Sequence, residues 1–167
     1  MAALDDARSR TLGLLAAVPD EAEAYARCAG KRLPTEMEWE KAAAWEPSRG
    51  KRWMPWGEDA PDATRANLGE GRLGPCAVGA FPDGASALGV EHLLGDVWEW
   101  TASPAVPWPG SCPLPSRGEA DRTKPGAGVL RGGSWATHPL VARCTTRRFA
   151  APEQRDLFAG FRCARSA

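Results

Sequence analysis

Two histidines, His92 and His138, and five cysteines, Cys28, Cys76, Cys112, Cys144 and Cys163, bound the chemistry open to this chain of 167 residues. Two imidazoles cannot build a three-histidine zinc or iron site from this chain alone. A Ser-His-Asp triad is arithmetically possible, but the G-x-S-x-G elbow that would expose its serine is absent. Five cysteines leave one unpaired in any disulfide scheme, and none stand in C-x-x-C spacing, which argues against a zinc knuckle. Gly132-Gly133 has no following lysine or helix, so it reads as a tight turn rather than a phosphate loop.

Composition narrows the classes further. Lys+Arg and Asp+Glu both number 21, so the net charge is zero and no basic footprint for nucleic acid is present. No apolar run reaches the roughly 18 residues of a membrane span. The opening MAALDDARSR has mixed charge and no apolar stretch behind a basic one, so no signal peptide is read and a cytoplasmic chain with reduced thiols is expected. A hydrophobic content of 43% suffices for one core. Eight Trp, 18 Gly and 15 Pro indicate a loop-rich fold pinned by large aromatic anchors.

The elements that must position these groups are few. Residues 3–18 carry Leu4, Leu12, Leu14, Leu15 and Val18 and make a weakly patterned helix. A clearer helix follows, with Asp20 as its cap, Glu21 and Glu23 near its positive end and Gly30 just past its last turn. Thr35 and Glu38 form a T-x-x-E capping box for a helix running to about Ala44, with Trp39, Ala42 and Ala43 on one face. Beyond Trp45 the pattern changes to loops and short strands. Val78 to Phe81 is a strand candidate, and Val97-Trp98-Glu99-Trp100 alternates as a half-buried strand does. Recurrent prolines and glycines make 103–128 a long irregular loop. Val129-Leu130-Arg131 enters the Gly132-Gly133 turn, and Phe158 to Cys163 forms a closing strand. The class is α+β.

Four phrases, AGKRLPTEMEWE from Ala29, LGDVWEWTAS from Leu94, VLRGGSW from Val129 and GFRCAR from Gly160, resemble in this order the sulfatase-modifying-factor family. That family contains the formylglycine-generating enzymes and the C-terminal domain of ergothioneine-type sulfoxide synthases. TASPAVPWPG, GGSWATHP and RDLFAGFRCAR bring the chain nearest the ergothioneine and selenoneine synthase branch. The resemblance implies a C-type-lectin-like fold over residues 19–167, preceded by a helix or tail over 1–18. In the family a further piece of the domain precedes the AGKRLPTE helix, and the synthases carry a separate helical iron-binding domain before that. The expectation is a shortened copy whose exposed apolar edge favours self-association.

The same resemblance assigns chemistry to residues. Formylglycine-generating enzymes bind copper through two cysteines, and the matching positions here are Thr137 and Ala142, neither a thiolate. In the synthases the iron ligands lie in the separate domain, so neither copper nor iron is expected within this chain. The substrate-contacting stretch matches 147–155, where an acidic residue and an arginine of some members correspond to Ala150 and Gln154. Arg147, Arg148 and Arg155 remain as carboxylate-holding candidates, with His138 and Trp108 as further pocket residues. Calcium is the one cofactor implied: at a first site by the Gly95 and Val97 carbonyls and Glu99, with His92 in place of the usual Asn or Asp, and at a second by Asn67, the Leu68 carbonyl and Glu70. The alternative for Glu99 is a buried carboxylate that accepts backbone N–H bonds or pairs with an arginine. Secreted members bridge the cysteine matching Cys163 to a position that falls here at Ala26, so Cys163 is expected to be a buried, reduced thiol.

These residues predict a module that is not catalytic alone. It would wall a substrate site and associate with a second chain carrying the iron-binding domain. The alternative is a ligand-binding scaffold like the variable proteins of diversity-generating retroelements, whose variable segment corresponds to 136–159; that stretch contains no Asn, Ser or Tyr. An active oxidase with an unforeseen metal arrangement has the least support.

Overall fold

Two helices lie against opposite faces of one small sheet, and their sequences show why. The computed structural model describes residues 19–107, 109–110 and 124–166, so Trp108 and the expected helix over 3–18 lie outside the described residues. In α1 (Pro19–Cys28), Ala22 and Ala26 stand one turn apart and are fully buried, which gives the helix a narrow contact stripe. The helix starts at Pro19, whose fixed φ suits a first turn, so Asp20 lies inside that turn rather than capping it. It ends where Gly30 adopts φ +66° and Lys31 N–H donates to the Ala26 carbonyl at 2.8 Å.

The capping box of α2 (Glu36–Ala44) forms as its sequence predicts. Glu38 N–H donates to Thr35 Oγ1 at 3.2 Å, and Thr35 N–H donates to Glu38 Oε2 at 2.9 Å. Arg32 adds two hydrogen bonds of 2.7 Å to the same carboxylate and, with the cap, holds it down from 4.5 to about 2. The depressed value means that the unfolded chain binds this proton more readily. The contribution is therefore full above pH 4.5 and is lost as pH falls towards 2. Glu38→Gln should flatten that part of the acid unfolding profile, read by circular dichroism between these limits.

The four-stranded sheet has the order β5-β4-β3-β6, built from β3 (Trp98–Pro104), β4 (Gly128–Arg131), β5 (Arg147–Ala150) and β6 (Ala159–Phe161). β4 runs antiparallel to both neighbours and β6 parallel to β3, with Trp98 opposite Ala159 and Glu99 opposite Arg131. A separate two-stranded hairpin, β1 (Trp45–Glu46) with β2 (Gly50–Lys51), follows α2. On one sheet face Trp98, Trp100, Leu130, Ala150 and Ala159 pack with Ala22, Ala26 and Leu33. The other face sends Glu99, Arg131 and Arg147 to Trp39, Glu40 and Glu36 of α2.

Three expectations are corrected by this arrangement. Trp98 to Thr101 of β3 are buried on both faces, because a helix covers each, so this stretch is not half-buried; Leu94 to Val97 precede it as a turn. Val78 to Phe81 is loop: Gly79 adopts φ +83°, Val78 is half exposed and Phe81 alone is buried, edge-on to His92. Of the expected core tryptophans, Trp39, Trp98 and Trp100 are buried, whereas Trp135 is partly exposed and lies against Phe158 at 4.4 Å.

Cys163 is free and buried beside Ala26 in the same cluster, while Cys28 is exposed. Burial pushes the Cys144 thiol up to about 12. Iodoacetamide on the native chain should therefore label Cys28 and spare Cys144 and Cys163 until denaturant is added. Peptide mass spectrometry showing native Cys163 labelling at the Cys28 rate would contradict this packing.

Candidate functional site

Gly95 begins the region on which the candidate residues converge. Its φ of +82° turns the chain so that Gly95 N–H donates to the Gly132 carbonyl at 3.0 Å. Asp96 N–H then reaches the Asn67 carbonyl at 3.1 Å, and the Asp96 carbonyl accepts from Trp135 N–H at 3.0 Å. Loops 67–71, 92–97 and 132–138 are thereby tied together by their backbones.

The side chains repeat the pattern. Asp96 Oδ1 accepts from Asn67 Nδ2 at 3.0 Å and from Cys76 N–H at 3.1 Å, while Oδ2 pairs with His92 Nδ1. His92 Nε2 accepts from Gly79 N–H at 3.0 Å, a bond that calls for the tautomer with its proton on Nδ1. Both His92 and Asp96 adopt positive φ, 54° and 57°. Sequence reasoning misses Asp96. The only signal there is an acidic residue following Gly95, a pairing favoured where left-handed backbone is needed.

The two expected calcium sites differ in fit. At the first, both Glu99 oxygens are engaged within the chain: Arg162 Nε and Nη2 donate at 2.6 and 2.7 Å, and Trp39 Nε1 donates at 2.6 Å. The carboxylate is thus arginine-paired, as the alternative reading had it, and the donor set does not fit a further divalent ion. At the second, Asn67 Oδ1 is buried and has no hydrogen-bond partner, although Nδ2 of the same amide is bound to Gly74 O and Asp96. Among the described residues Leu68 O accepts one long 3.3 Å backbone bond, from Gly71, and Glu70 is exposed at φ +61° with its N–H on the Trp135 carbonyl. An orphaned amide oxygen, a carbonyl and a carboxylate, within four residues of one another in the sequence, are donor types that a hard cation takes. Among the described residues no group of three His, Cys, Asp or Glu is placed to hold a metal.

The substrate candidates are scattered rather than clustered. Arg147 Nε lies 2.7 Å from Glu36 Oε2 on the face covered by α2. Arg148 points to the opposite face, 5.9 Å over the Trp98 ring, and among the described residues no carboxylate pairs with it. Arg155 donates to the backbone carbonyls of Pro152 and Gln154. His138 is exposed, and its Nδ1 accepts from Leu140 N–H at 3.2 Å, capping the short helix Pro139–Val141. The positions matching the copper cysteines hold Thr137, whose hydroxyl accepts from Ser134 N–H at 2.8 Å, and fully buried Ala142.

Comparison with known proteins identifies the family and the fold. The model of the sulfatase-modifying factor enzyme 1-like domain matches residues 18–167. The hercynine oxygenase of Mycolicibacterium thermoresistibile is 53% identical over 150 residues, covering 86% of this chain and 34% of that protein. The chain thus spans about a third of the length of this relative. Among solved structures, PvdO from Pseudomonas aeruginosa superposes with a TM-score of 0.67 at 28% identity, over 92% of this chain and 61% of that one. Treponema denticola variable protein 1 gives 0.61 at 27% identity, over 82% and 48%. Together these show that the chain belongs to the sulfatase-modifying factor enzyme 1-like family and has its loop-rich α+β, C-type-lectin-like fold.

Proposed function

We propose that this domain is the substrate-wall module of an ergothioneine-type sulfoxide synthase and is not catalytic by itself. The observation that carries the reading is the 53% identity to a hercynine oxygenase over its matched third. The chemistry supports it: iron, dioxygen and two substrates need a metal centre, and the resemblance places those ligands in the helical domain. A polypeptide carrying that domain is the expected partner. Arg148 and Arg155 are the arginines left to hold a substrate carboxylate, since Arg147 is taken by Glu36.

Reconstitution tests the reading. The purified chain with iron, hercynine and a thiol should form no sulfoxide by mass spectrometry. Adding a polypeptide from the same host that carries the iron-binding domain and the lectin-fold piece that precedes the AGKRLPTE helix in the family should restore turnover, and Arg148→Ala should raise KM about tenfold or more, the cost of one charge-assisted hydrogen bond. Turnover by the chain alone, or none with the added polypeptide, would refute it. Capture of a target protein without any effect on turnover would instead favour the lectin-type scaffold, a reading that draws on the likeness to the variable protein.

Calcium at Asn67, Leu68 and Glu70 is part of the same proposal, and the buried orphan Oδ1 of Asn67 supports it. The ion would supply a fixed positive charge that ties the 67–71 loop to itself. Calorimetric titration should show binding in the wild type and none after Asn67→Leu.

A further inference from the structure

Arg162 makes the contacts of a bound cation. Its guanidinium forks onto the two Glu99 oxygens, and Nη2 also donates to the His92 carbonyl at 3.0 Å and the Glu91 carbonyl at 3.2 Å. A carboxylate and two backbone carbonyls are the hard oxygen donors that a calcium loop would present. Here they converge on a planar, permanently charged group. The side chain of Arg162 is 13% exposed and that of Glu99 9%, so neither charge is screened by much water. Trp39 donates to the same Glu99 oxygen as Arg162 Nε, which fixes the carboxylate from the α2 side. His92 serves both sides of the loop: its carbonyl goes to Arg162 and its imidazole to Asp96.

We infer that Arg162 is the built-in cation of the 91–99 loop, neutralising Glu99 where the family resemblance puts calcium, and that this region closes without metal. A divalent ion brought to Glu99 would have to displace a bidentate guanidinium held in a mostly dry setting, or stand beside it against like charge. The parallel pairing of β6 with β3, which sets Glu99 opposite Gly160 two residues before Arg162, delivers the guanidinium to this place from the far end of the chain. Gly160 allows the approach, since a Cβ there would stand 3.0 Å from the Val97 side chain. The inference is independent of the synthase reading and of the Asn67 calcium site.

Calcium stoichiometry tests it, measured by equilibrium dialysis for the wild type, Glu99→Gln, Arg162→Ala and Arg162→Ala/Glu99→Gln. Removing the guanidinium should expose a latent oxygen site, so Arg162→Ala should bind about one calcium more than wild type. Its melting temperature should rise by several degrees with calcium and fall back with chelator. The double variant should lose that extra ion. Arg162→Ala binding no more calcium than wild type would overturn the inference. Should Arg162→Ala fail to fold, Glu99→Gln decides: loss of a calcium ion that the wild type binds would place that ion at Glu99 and overturn the inference, whereas an unchanged calcium stoichiometry upholds the built-in cation. An absence of calcium from wild type refutes only the Asn67 site.

Discussion

Replacing Arg131 with methionine is expected to remove about 3–5 kcal/mol of stability, because it breaks a buried charge network by taking out its centre. Arg131 is fully buried on β4, with its guanidinium 5.4 Å over the Trp39 ring. Nη2 donates to Cys144 O at 2.6 Å and to Glu40, while Nη1 lies 3.7 Å from Glu36 Oε2. Burial lowers the arginine's pKa, and Glu40 and Glu36 oppose that shift. Methionine fills the volume but leaves Glu36, itself 6% exposed, with Arg147 alone and Glu40 with Lys51 alone. The loss is therefore the cost of carboxylates stranded away from water rather than lost packing. A triple variant that also carries Glu36→Gln and Glu40→Gln should recover most of it. Urea unfolding of the single variant with a loss below about 1 kcal/mol would show the network to behave like an exposed one.

That network also marks where sequence reading stops. The capping box at Thr35 and Glu38, the Gly132-Gly133 turn and the apolar face of α2 follow local rules, and all three are found in the fold. Local rules also pick out Trp98 and Trp100 but cannot say that a second helix covers Glu99 between them. That depends on contacts 60 to 63 positions apart, to Trp39 and Arg162. Glu36 stands in the first turn of α2, where the helix dipole favours an acid, and no local rule shows that it is buried under Arg147, 111 positions away. Likewise Arg147 and Arg148 look like one cationic pair in the sequence. Strand geometry sends adjacent side chains to opposite faces, so one is spent on α2 and the other stacks on Trp98. For the candidate site, resemblance supplies Asn67, Gly95, Val97 and Glu99, and the loops do meet there. It does not supply Asp96, because a residue that matters through its own left-handed backbone and four hydrogen-bonding neighbours leaves almost no mark in composition or spacing.

Gly95→Ala should be the most damaging small substitution in that hub, costing upwards of about 4 kcal/mol. Two penalties add. At φ +82° an L-residue is strained by about 1–2 kcal/mol. A Cβ would also stand 2.3 Å from the Asn67 carbonyl oxygen and 2.9 Å from its carbon, closer than atoms can sit. Asn67 cannot retreat cheaply: its carbonyl accepts from Asp96 N–H and its amide is held by Gly74 O and the Asp96 carboxylate. Gly30→Ala separates the two penalties, since Gly30 has φ +66° but nothing within 4 Å of the added methyl. It should cost only about 1 kcal/mol. At roughly 2–4 °C per kcal/mol for a domain of this size, the Gly95 variant should melt some 8–16 °C lower and the Gly30 variant only a few degrees lower. Equal shifts would mean that backbone conformation alone decides and that the loops are softer than their hydrogen bonds imply. Unequal shifts would carry a consequence for binding, because the atoms that must move to admit a methyl group at Gly95 belong to Asn67, whose orphaned oxygen we propose as a calcium ligand. Calcium uptake should then fall in Gly95→Ala and stay unchanged in Gly30→Ala.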